Sequence, residues 1–477
     1  MKQIFNPYLP SNEYVPDGEP HVFNNRVYIY GSHDRFNGDS FCLNDYVCYS
    51  CDIHDLTTWK YEGVIFKKSD DPNNINCNPL YAPDVVQGVD GRYYLYYCPF
   101  LLSYIGVAVS DRPEGPYQYY GRVKRENGEI YGLGKNDLMA FDPACYVENN
   151  KVYVYSGFSA NSKEFMEAVR VFPCSPIDMN GGHVMTLKED MITIIEEKMT
   201  IPGIANSKGT GFEGHEFYEA SSMRKFDDTY YFVYSSVLSH ELCYATSKYP
   251  DRDFTYGGIL ISNADFNYHG NTKAQNYYGN IHGGLVKILE NYYIFYHRQT
   301  NQNEQSRQGC AEKVYIKDGH IEQVECTSQG LNGKPLAGKG EYYAYIACNL
   351  RSKDGAIKCE NAREDKEIYV HHPFITQPLP DGEICHQYIK NIQDGSVIGF
   401  KYFDLDHPMI QVETRGDEGY FDISTTIDGN TIVSIPLKAS QDYQLSSLIT
   451  IPLKGVSALF FTYRGKGKID FERFILK

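Results

Sequence analysis

The sequence predicts an all-β protein in which a five-bladed β-propeller is followed by an antiparallel β-sandwich. The first observation is the amount of tyrosine, with 43 Tyr against a single Trp among 477 residues. Many of these tyrosines stand in short alternating runs such as "KVYVY", which are typical of strands, while continuous helical periodicity is scarce. The second observation is that these runs recur five times, and the third is that they stop after about two-thirds of the chain.

Each repeat joins a short apolar strand and a polar turn to a second, tyrosine-rich strand. The five second strands contain "RVYIY", "RYYLYY", "KVYVY", "YYFVYSS" and "YYIFYHR". Units of this kind, about 55 to 80 residues apart and each a meander of short strands, are typical of the blades of a β-propeller. We therefore expect residues 1–325 to form a five-bladed propeller.

An ionisable residue stands at the same phase of every repeat, where the first strand begins. Counting back about ten to twelve residues from the aligned tyrosines of the second strands reaches Asp17, Asp84, Asp142, Glu219 and His282. The first strands of propeller blades surround the central channel, so these five side chains should converge at one end of it. One such residue would normally cap a turn, but five in one phase favour a shared pocket.

Composition excludes several classes of function. The net charge of −16 argues against nucleic acid as a partner, because binding phosphates needs clustered Lys and Arg. No stretch is apolar enough to span a membrane, and the beginning of the sequence has no run resembling a signal peptide. The 13 cysteines show no framework spacing, which indicates reduced thiols in the cytoplasm. A neutral or weakly charged substrate fits best, and association into a homo-oligomer stays open.

Clustered carboxylates that face a neutral substrate suggest glycoside hydrolysis. One carboxylic acid must protonate the leaving oxygen, and another carboxylate must activate water or attack the sugar. Crowding several carboxylates raises the pKa of one of them, which keeps that group protonated near neutral pH.

Five motifs of the chain resemble glycoside hydrolase family 43. They are "PDGEPHVFNNRVYIYGSHD", "YAPDVV", "FDPACYVENNKVYVY", "EASSMRK" and "NIHGGLVKILENYYIFYHR", and together they cover about residues 5–320. The resemblance implies a five-bladed propeller that hydrolyses plant-cell-wall pentose polymers with inversion. The chain departs from the family pattern in places: the usual D-P-S reads Asp17-Gly18-Glu19, and Tyr81 replaces the tryptophan of W-A-P-D.

The resemblance also implies roles for the aligned residues. By motif position, Asp17 would be the general base, Glu219 the general acid, and Asp142 the residue that orients the acid and raises its pKa. His282 looks like the channel histidine of the family, which often neighbours a structural calcium ion or its water; a hydrogen-bonded core histidine is the alternative, and the chemistry itself requires no cofactor. Asp84, in the motif that Tyr81 opens, is expected to contact sugar.

Further wall residues are predicted from propeller geometry. The second strand of each blade returns to the channel end where the acids lie, so residues after it, which include Phe36, Phe100, Phe158, His297 and Arg298, could contact substrate. Phe36, Phe100 and Phe158 could stack on a sugar face, and Arg298 could bind hydroxyls with paired donors. The family resemblance implies that the Tyr81 ring lines the same pocket. Ordinary packing between blades is the alternative for each phenylalanine.

The tandem-tyrosine repeat stops before a Gly/Lys-rich stretch, and we expect a linker at residues 326–340. Residues 341–477 read as short strands separated by turn signals, which predicts an antiparallel sandwich. The run "GFKYFD…GVSALFFTYRGKGKIDF" resembles the family 6 type of carbohydrate-binding module. Such a module could bind sugar or brace the propeller, and bracing is favoured because no sugar-stacking pair of aromatic residues is evident.

The expected function is that of an inverting exo-glycosidase that removes terminal arabinofuranose or xylose from short oligosaccharides. Activity as an α-L-arabinofuranosidase and as a β-D-xylosidase both stay open, because the two sugars present similar edges. An endo-arabinanase is an alternative, although long loops such as 262–280 favour a walled pocket over an open groove. A non-catalytic sugar-binding propeller is a second alternative, which the presence of all three carboxylates disfavours.

Overall fold

The computed structural model describes residues 2–134, 137–169, 177–359 and 370–477. Its regular elements are almost all strands, and within these ranges the α-helical part is a single short helix, α1 (Lys163–Val169). Four 3-10 turns accompany it at Lys68–Asp70, Tyr268–Gly270, Gly330–Asn332 and Ala344–Ile346. None of the described helices has the length and apolar character needed to cross a membrane.

Four sheets of four antiparallel strands follow one another along the chain, and consecutive strands are neighbours in each sheet. The first contains β1 (Glu19–Phe23), β2 (Arg26–Tyr30), β3 (Tyr46–Asp52) and β4 (Asp55–Phe66). The second contains β5 (Leu80–Gln87), β6 (Tyr93–Pro99), β7 (Gly106–Ser110) and β8 (Gln118–Arg122). The third contains β9 (Ala144–Glu148), β10 (Lys151–Ser156), β11 (Gly181–Leu187) and β12 (Ile194–Pro202). The fourth contains β13 (Phe217–Phe226), β14 (Thr229–Ser236), β15 (Glu241–Ser247) and β16 (Thr255–Ser262).

A fifth sheet has three strands, β17 (Leu285–Ile288), β18 (Asn291–Thr300) and β19 (Asn303–Val314). The first strands of the five sheets contact one another in a closed circle, from β1 to β5, β9, β13 and β17 and back to β1. This is the arrangement of a propeller, in which the first strand of each blade lines the channel. The predicted all-β fold with five blades is confirmed, and the sheets are called blades one to five below.

The abundance of tyrosine has a structural explanation in the contacts between blades. Tyr30, Tyr96 and Tyr155 lie on the second strands of blades one, two and three, and each is fully buried. Their hydroxyls donate to backbone oxygens in the outer turn of the following blade, at Pro113, Met191 and Pro250 respectively, each at 2.7 Å. A buried ring therefore fills the space between two blades while its hydroxyl bonds to a backbone carbonyl group of the next blade.

Two larger sheets form the C-terminal sandwich. One contains β22 (Leu336–Ala337), β24 (Asn349–Arg351), β27 (Val397–Asp406), β29 (Gly419–Ser424), β30 (Val433–Leu437) and β33 (Lys454–Arg464). The other contains β23 (Gly340–Tyr343), β25 (Phe374–Thr376), β26 (Tyr388–Ile392), β28 (Met409–Gly416), β31 (Ser440–Leu445), β32 (Ile449–Thr450) and β34 (Ile469–Leu476). The core between them is rich in phenylalanine: Phe400, Phe421, Phe461, Phe471 and Phe474. A short hairpin, β20 (Ile316–Lys317) and β21 (His320–Ile321), follows blade five.

A residue near the N-terminus joins blade five to the stretch that leads into the sandwich. The Asn6 amide nitrogen donates to the Ala311 oxygen at 3.1 Å, to Glu312 Oε1 at 2.8 Å and to the Thr327 oxygen at 2.9 Å. Its amide oxygen accepts from the Ala311 nitrogen at 3.0 Å. We call Asn6 and these three partners the Asn6 clasp. Through Thr327, residues 326–340 are therefore held against the propeller at the Asn6 clasp.

Candidate active site

A cavity of about 370 Å³ opens at the end of the channel where the first strands begin. Asp17, Asp142, Glu219 and His282, from blades one, three, four and five, all line it. Four of the five residues that share one phase of the repeat are thus brought together as the sequence predicts.

The Asp17 carboxylate is held by two buried side chains of blade five. Arg307 Nη1 donates to Asp17 Oδ1 at 2.8 Å, and His297 Nδ1 lies 3.1 Å from the same oxygen. Burial alone would raise the pKa of Asp17, but the positive charge of Arg307 and the contact with His297 hold it well below its usual range. Asp17 is therefore ionised at neutral pH, as a general base must be.

Glu219 is in the opposite electrostatic state. It lies on β13 within an irregularity of the pairing with β14, and the next residue, Ala220, has a left-handed φ of 66°. Such a bulge re-aims a side chain, here toward the cavity. Burial and the nearby charge of Asp142 raise the pKa of Glu219 well above its usual range. Glu219 therefore keeps its proton near neutral pH, as a general acid must.

Asp142 stands between Glu219 and His282. Its Oδ2 accepts from the backbone nitrogen of Ala220 at 3.2 Å and lies 3.5 Å from His282 Nδ1. Burial raises the pKa of Asp142, and its contact with His282 opposes that rise. Because it bonds to the residue next to Glu219, Asp142 fixes the backbone that carries Glu219.

The other two glutamates of the stretch "GFEGHEFYEA" lie outside the cavity lining. Glu213 is exposed and accepts a hydrogen bond from the Gly211 nitrogen at 2.9 Å. Glu216 is buried and accepts from Ser207 Oγ at 2.9 Å. Both side chains therefore stabilise the loop before β13, and Glu219 alone of the three faces the cavity.

An aromatic wall borders the acids. Tyr81, Phe100 and Phe158 line the cavity as predicted, together with Phe141. Tyr81 and Phe100 are stacked with ring centroids 5.3 Å apart, and Phe141 contacts Phe158 edge-on at 5.2 Å. Such a wall offers apolar faces for stacking a sugar ring.

Asp84, predicted to contact sugar, lies elsewhere. It is fully buried, with Oδ1 2.6 Å from His21 Nε2 and Oδ2 accepting from the Cys145 nitrogen at 2.8 Å. The reason is strand register: β5 begins at Leu80, so Asp84 lies inside the strand and farther along the channel, whereas Asp17 and Asp142 precede their strands. Asp84 therefore connects blades one, two and three.

The prediction for Arg298 is corrected by the alternation of β18. Side chains at successive strand positions point to opposite faces, so His297 faces Asp17 and Arg298 faces away from the cavity. Arg298 is buried and donates to the backbone oxygens of Ala347 at 3.0 Å and Tyr345 at 2.8 Å. It joins the propeller to the sandwich.

Phe36 also lies outside the cavity lining. Its ring stacks on Tyr14 at 5.8 Å, and its backbone nitrogen donates to Asp381 of the sandwich at 2.6 Å. The connection between β2 and β3 is long, so position 36 does not simply continue the strand. Phe41, later in the same connection, lines the cavity, with the Arg307 guanidinium packed over its ring at 4.8 Å.

Arg307, His297 and Phe41 complete the site. His297 is one of the predicted wall residues, whereas Arg307 and Phe41 are not predicted from the sequence. Arg307 lies on β19, a third strand, and the tyrosine-rich repeat includes only the first two strands of each blade. The signal that could have found it is an arginine in the strand after "YYIFYHR", where a buried cation needs a carboxylate partner.

Comparison with known proteins gives consistent matches. A family model described as Glycosyl hydrolases family 43 matches residues 15–321. A protein of Thermoclostridium stercorarium named xylosidase/arabinosidase is 47% identical over 100% of this chain and 99% of its own length. A solved β-xylosidase/α-arabinofuranosidase from a compost metagenome is 25% identical, covers 66% of this chain and 96% of its own, and has a TM-score of 0.50. A Bacillus subtilis arabinoxylan arabinofuranohydrolase, 18% identical with a TM-score of 0.50, shares the fold over 99% of this chain and 97% of its own.

Proposed function

The chain belongs to glycosyl hydrolases family 43, and from this premise we propose that it is an inverting exo-glycosidase acting on terminal arabinofuranose or xylose of plant-cell-wall oligosaccharides. The observation that carries the proposal is the opposite state of two carboxyl groups in one cavity. The pKa of Asp17 is lowered and that of Glu219 is raised, which supports Asp17 as the base and Glu219 as the acid.

The proposed reaction is a single displacement at the anomeric carbon. Asp17 removes a proton from a water molecule, whose oxygen forms a new bond to the anomeric carbon. The bond from that carbon to the leaving oxygen breaks on the opposite face, and Glu219 gives its proton to that oxygen. Asp142 positions the acid, and Arg307 keeps Asp17 ionised and correctly aimed.

The cavity itself supports exo action. Residues from all five blades line it, including Phe41, Tyr81, Asp142, Glu219 and Arg307. Walls on every side favour a chain end over the middle of a polymer, and the volume lies near the lower end of the range for small-molecule pockets, about 300–1,000 Å³. The name of the Thermoclostridium stercorarium relative supports both pentoses as substrates.

A calcium ion beside His282 is implied by the family resemblance, and the residues around His282 decide whether it fits. His282 Nε2 lies 3.6 Å from Glu19 Oε1, and neither atom has a hydrogen-bond partner among the described residues. Glu19 also lies close to His21 and Asp84, but two imidazole nitrogens and two carboxylates fall short of the six to eight oxygen ligands that calcium prefers, and His21 Nε2 is already 2.6 Å from Asp84 Oδ1. Arg224 already donates to Glu19 Oε2 at 2.7 Å and supplies a positive charge. These residues do not fit a directly coordinated calcium ion, and the proposed reaction uses none.

The sandwich, which resembles a family 6 carbohydrate-binding module, is proposed to brace the propeller. Lys401 of the sandwich pairs with Glu325 at 2.9 Å and Asp265 at 3.4 Å, and Asn301 of blade five donates its backbone hydrogen to the Ile375 oxygen at 2.8 Å. We also place the protein in the cytoplasm, where its 12 described free cysteines would stay reduced.

Turnover of an aryl α-L-arabinofuranoside and an aryl β-D-xyloside tests the proposal, with the configuration of the released sugar followed by NMR from the first turnovers. We expect hydrolysis of at least one glycoside, inversion at the anomeric carbon, and loss of activity in Asp17→Asn. If neither glycoside nor a short oligosaccharide is cleaved, the proposed function is wrong, and a product of retained configuration would refute the single displacement.

A further inference from the structure

Lys358 lines the active-site cavity, although it belongs to the C-terminal half of the chain. We propose that Lys358 is a substrate-binding residue, supplied by the sandwich, that holds the sugar on the leaving-group side of the bond to be cleaved. The inference rests on the proposed function and deepens it, because it makes substrate selection a joint property of propeller and sandwich.

The backbone on both sides of Lys358 is fixed. The chain leaves the sandwich strand β24 at Arg351 and turns tightly, with Ser352 and Gly355 exchanging backbone hydrogen bonds at 3.0 and 3.1 Å. It then runs parallel to the connection before blade five, where Tyr278 pairs with Lys358. The Tyr278 nitrogen donates to the Ile357 oxygen at 3.4 Å, and the Cys359 nitrogen donates to the Tyr278 oxygen at 2.6 Å.

Alternation along this extended stretch explains why Lys358 faces the cavity. Cys359 is buried in the phenylalanine-rich core of the sandwich, and Ile357 packs against the same core. Since neighbours in an extended chain point to opposite sides, the side chain between them must point away from the sandwich. The cavity lies on that side.

The same connection also reaches the catalytic carboxylates. Two residues after Tyr278, Asn280 lines the cavity and accepts a hydrogen bond from His297 Nε2 at 2.8 Å. His297 in turn contacts Asp17. The stretch around Lys358 is thus paired with the segment that contains Asn280, and Asn280 holds the histidine that contacts Asp17.

Lys358 reaches the cavity from outside the propeller, on the stretch paired with Tyr278, whereas Asp17, Asp142 and Glu219 stand near the beginning of the first strands around the channel. It also lies near the turn before β15: burial lowers the pKa of His240, the charge of Lys358 adds to this, and the neighbouring Ser239 lines the cavity. In a pocket for chain ends the cleaved sugar occupies the part beside the acids, so a group farther out meets the leaving sugar.

The chemistry of this outer part suits a neutral sugar residue. An ammonium such as that of Lys358 can donate to hydroxyl oxygens, and a carboxylate such as that of Glu304, which also lines the cavity, can accept from hydroxyl hydrogens. Phe100 and Phe158 supply apolar surface in the same cavity. A sugar that is hydrogen-bonded at its edge and packed on an aromatic face is bound by both groups.

The test compares Lys358→Ala with Lys353→Ala, a matched control in the preceding turn whose side chain is 64% exposed. Each full-length variant is assayed on xylobiose and arabinosylated xylo-oligosaccharides, which place a sugar in the outer part, and on the aryl glycosides. We expect Lys358→Ala to raise KM for the oligosaccharides by roughly tenfold, about what one hydrogen bond to a charged group is worth. The kcat value and the shape of the pH profile should change little, because the pKa values of the carboxyl groups are set by other residues. Lys358→Arg should recover most of the lost affinity, and Lys353→Ala should match the wild type.

Each result decides the inference. An oligosaccharide KM within twofold of wild type in Lys358→Ala would overturn it, and so would an equal loss on all substrates with a displaced pH profile. If Lys358→Ala unfolds at a lower temperature than wild type, Lys358→Met, which keeps the aliphatic stem, replaces it. Failure of the wild type to hydrolyse any of these substrates would refute the proposed function instead, so the two failures are distinguishable.

Discussion

The guanidinium of Arg307 lies 2.8 Å from the carboxylate of Asp17. It also donates two hydrogen bonds to Asp34, from Nε at 2.8 Å and from Nη2 at 3.0 Å. All three side chains are buried. The planar guanidinium of Arg307 is thus shared by two carboxylates, and the contact on its cavity side keeps Asp17 ionised. A lysine ammonium cannot reproduce this geometry, because its donors radiate from a single atom.

Replacing Arg307 by Lys should therefore move the acid limb of the pH profile upward. Asp17 must be ionised to act, and its lowered pKa lets activity persist as the pH falls. Weaker pairing raises that pKa, so activity should be lost at a higher pH than in wild type. The measurement is kcat/KM against pH, with thermal unfolding as the folding control. An acid limb identical to that of wild type in a folded variant would show that another group sets the pKa of Asp17.

The assignment of Glu219 as acid predicts a dependence on the leaving group. Glu219→Gln should lose about 10²-fold or more in kcat on an oligosaccharide, whose leaving oxygen needs a proton, and far less on an aryl glycoside with an acidic phenol. Asp17→Asn should lose activity on both, since every substrate needs an activated water. Glu213→Gln, an exposed glutamate of the same stretch, is the matched control and should keep activity on both. Equal losses on the two substrates in Glu219→Gln would contradict its role as acid.

Asp142→Asn should displace the alkaline limb. Burial raises the pKa of Glu219, and the negative charge of Asp142 raises it further. Without that charge Glu219 loses its proton at a lower pH, so activity should decline earlier as the pH rises. Asparagine retains an oxygen for the Ala220 nitrogen, which limits the structural damage. An alkaline limb that stays in place would mean that Asp142 acts through geometry alone.

Much of the site follows from the sequence because the chain is a repeat. Aligning the tyrosine-rich strands places Asp17, Asp142, Glu219 and His282 at one end of one channel, and the structure has them in one cavity. The sequence predictions fail where a shift of one or two positions along a strand changes where a side chain points. Asp84 lies inside its strand, and Arg298 is one residue from the position that faces Asp17. Lys358 could not be found in this way, since nothing in the repeat indicates which sandwich residue reaches the propeller.

Removal of divalent cations should leave the enzyme unchanged. Burial opposes a charged His282, but its contacts with Asp142 and Glu19 raise its pKa well above the ordinary value, so the imidazolium is the cation between these carboxylates. Dialysis against EDTA is expected to alter neither kcat nor the unfolding temperature, and added calcium should have no effect. A loss of activity that calcium alone restores would show that the channel holds a metal.

Stability should depend on the protonation of Glu312, a member of the Asn6 clasp. Burial raises the pKa of Glu312 from 4.5 to about 8. Between these values the folded state binds a proton that the unfolded state has released, so the free energy of unfolding falls as the pH rises through this window. Glu312→Gln should flatten the dependence and gain stability relative to wild type at pH 8. Chemical unfolding between pH 5 and pH 8.5 measures the difference, and parallel curves for the two proteins would contradict the shift.

The Asn6 clasp also constrains the order of events during synthesis. Residue 6 leaves the ribosome about three hundred residues before Ala311, Glu312 and Thr327, the partners that its side chain needs. Until then the nascent chain holds an incomplete circle, whose two end blades expose the tyrosine-rich faces that later meet. Ring closure therefore waits for residues of blade five and beyond, and contacts between positions so far apart in sequence form slowly. A growing chain of this kind has its greatest need of protection from aggregation just before it closes.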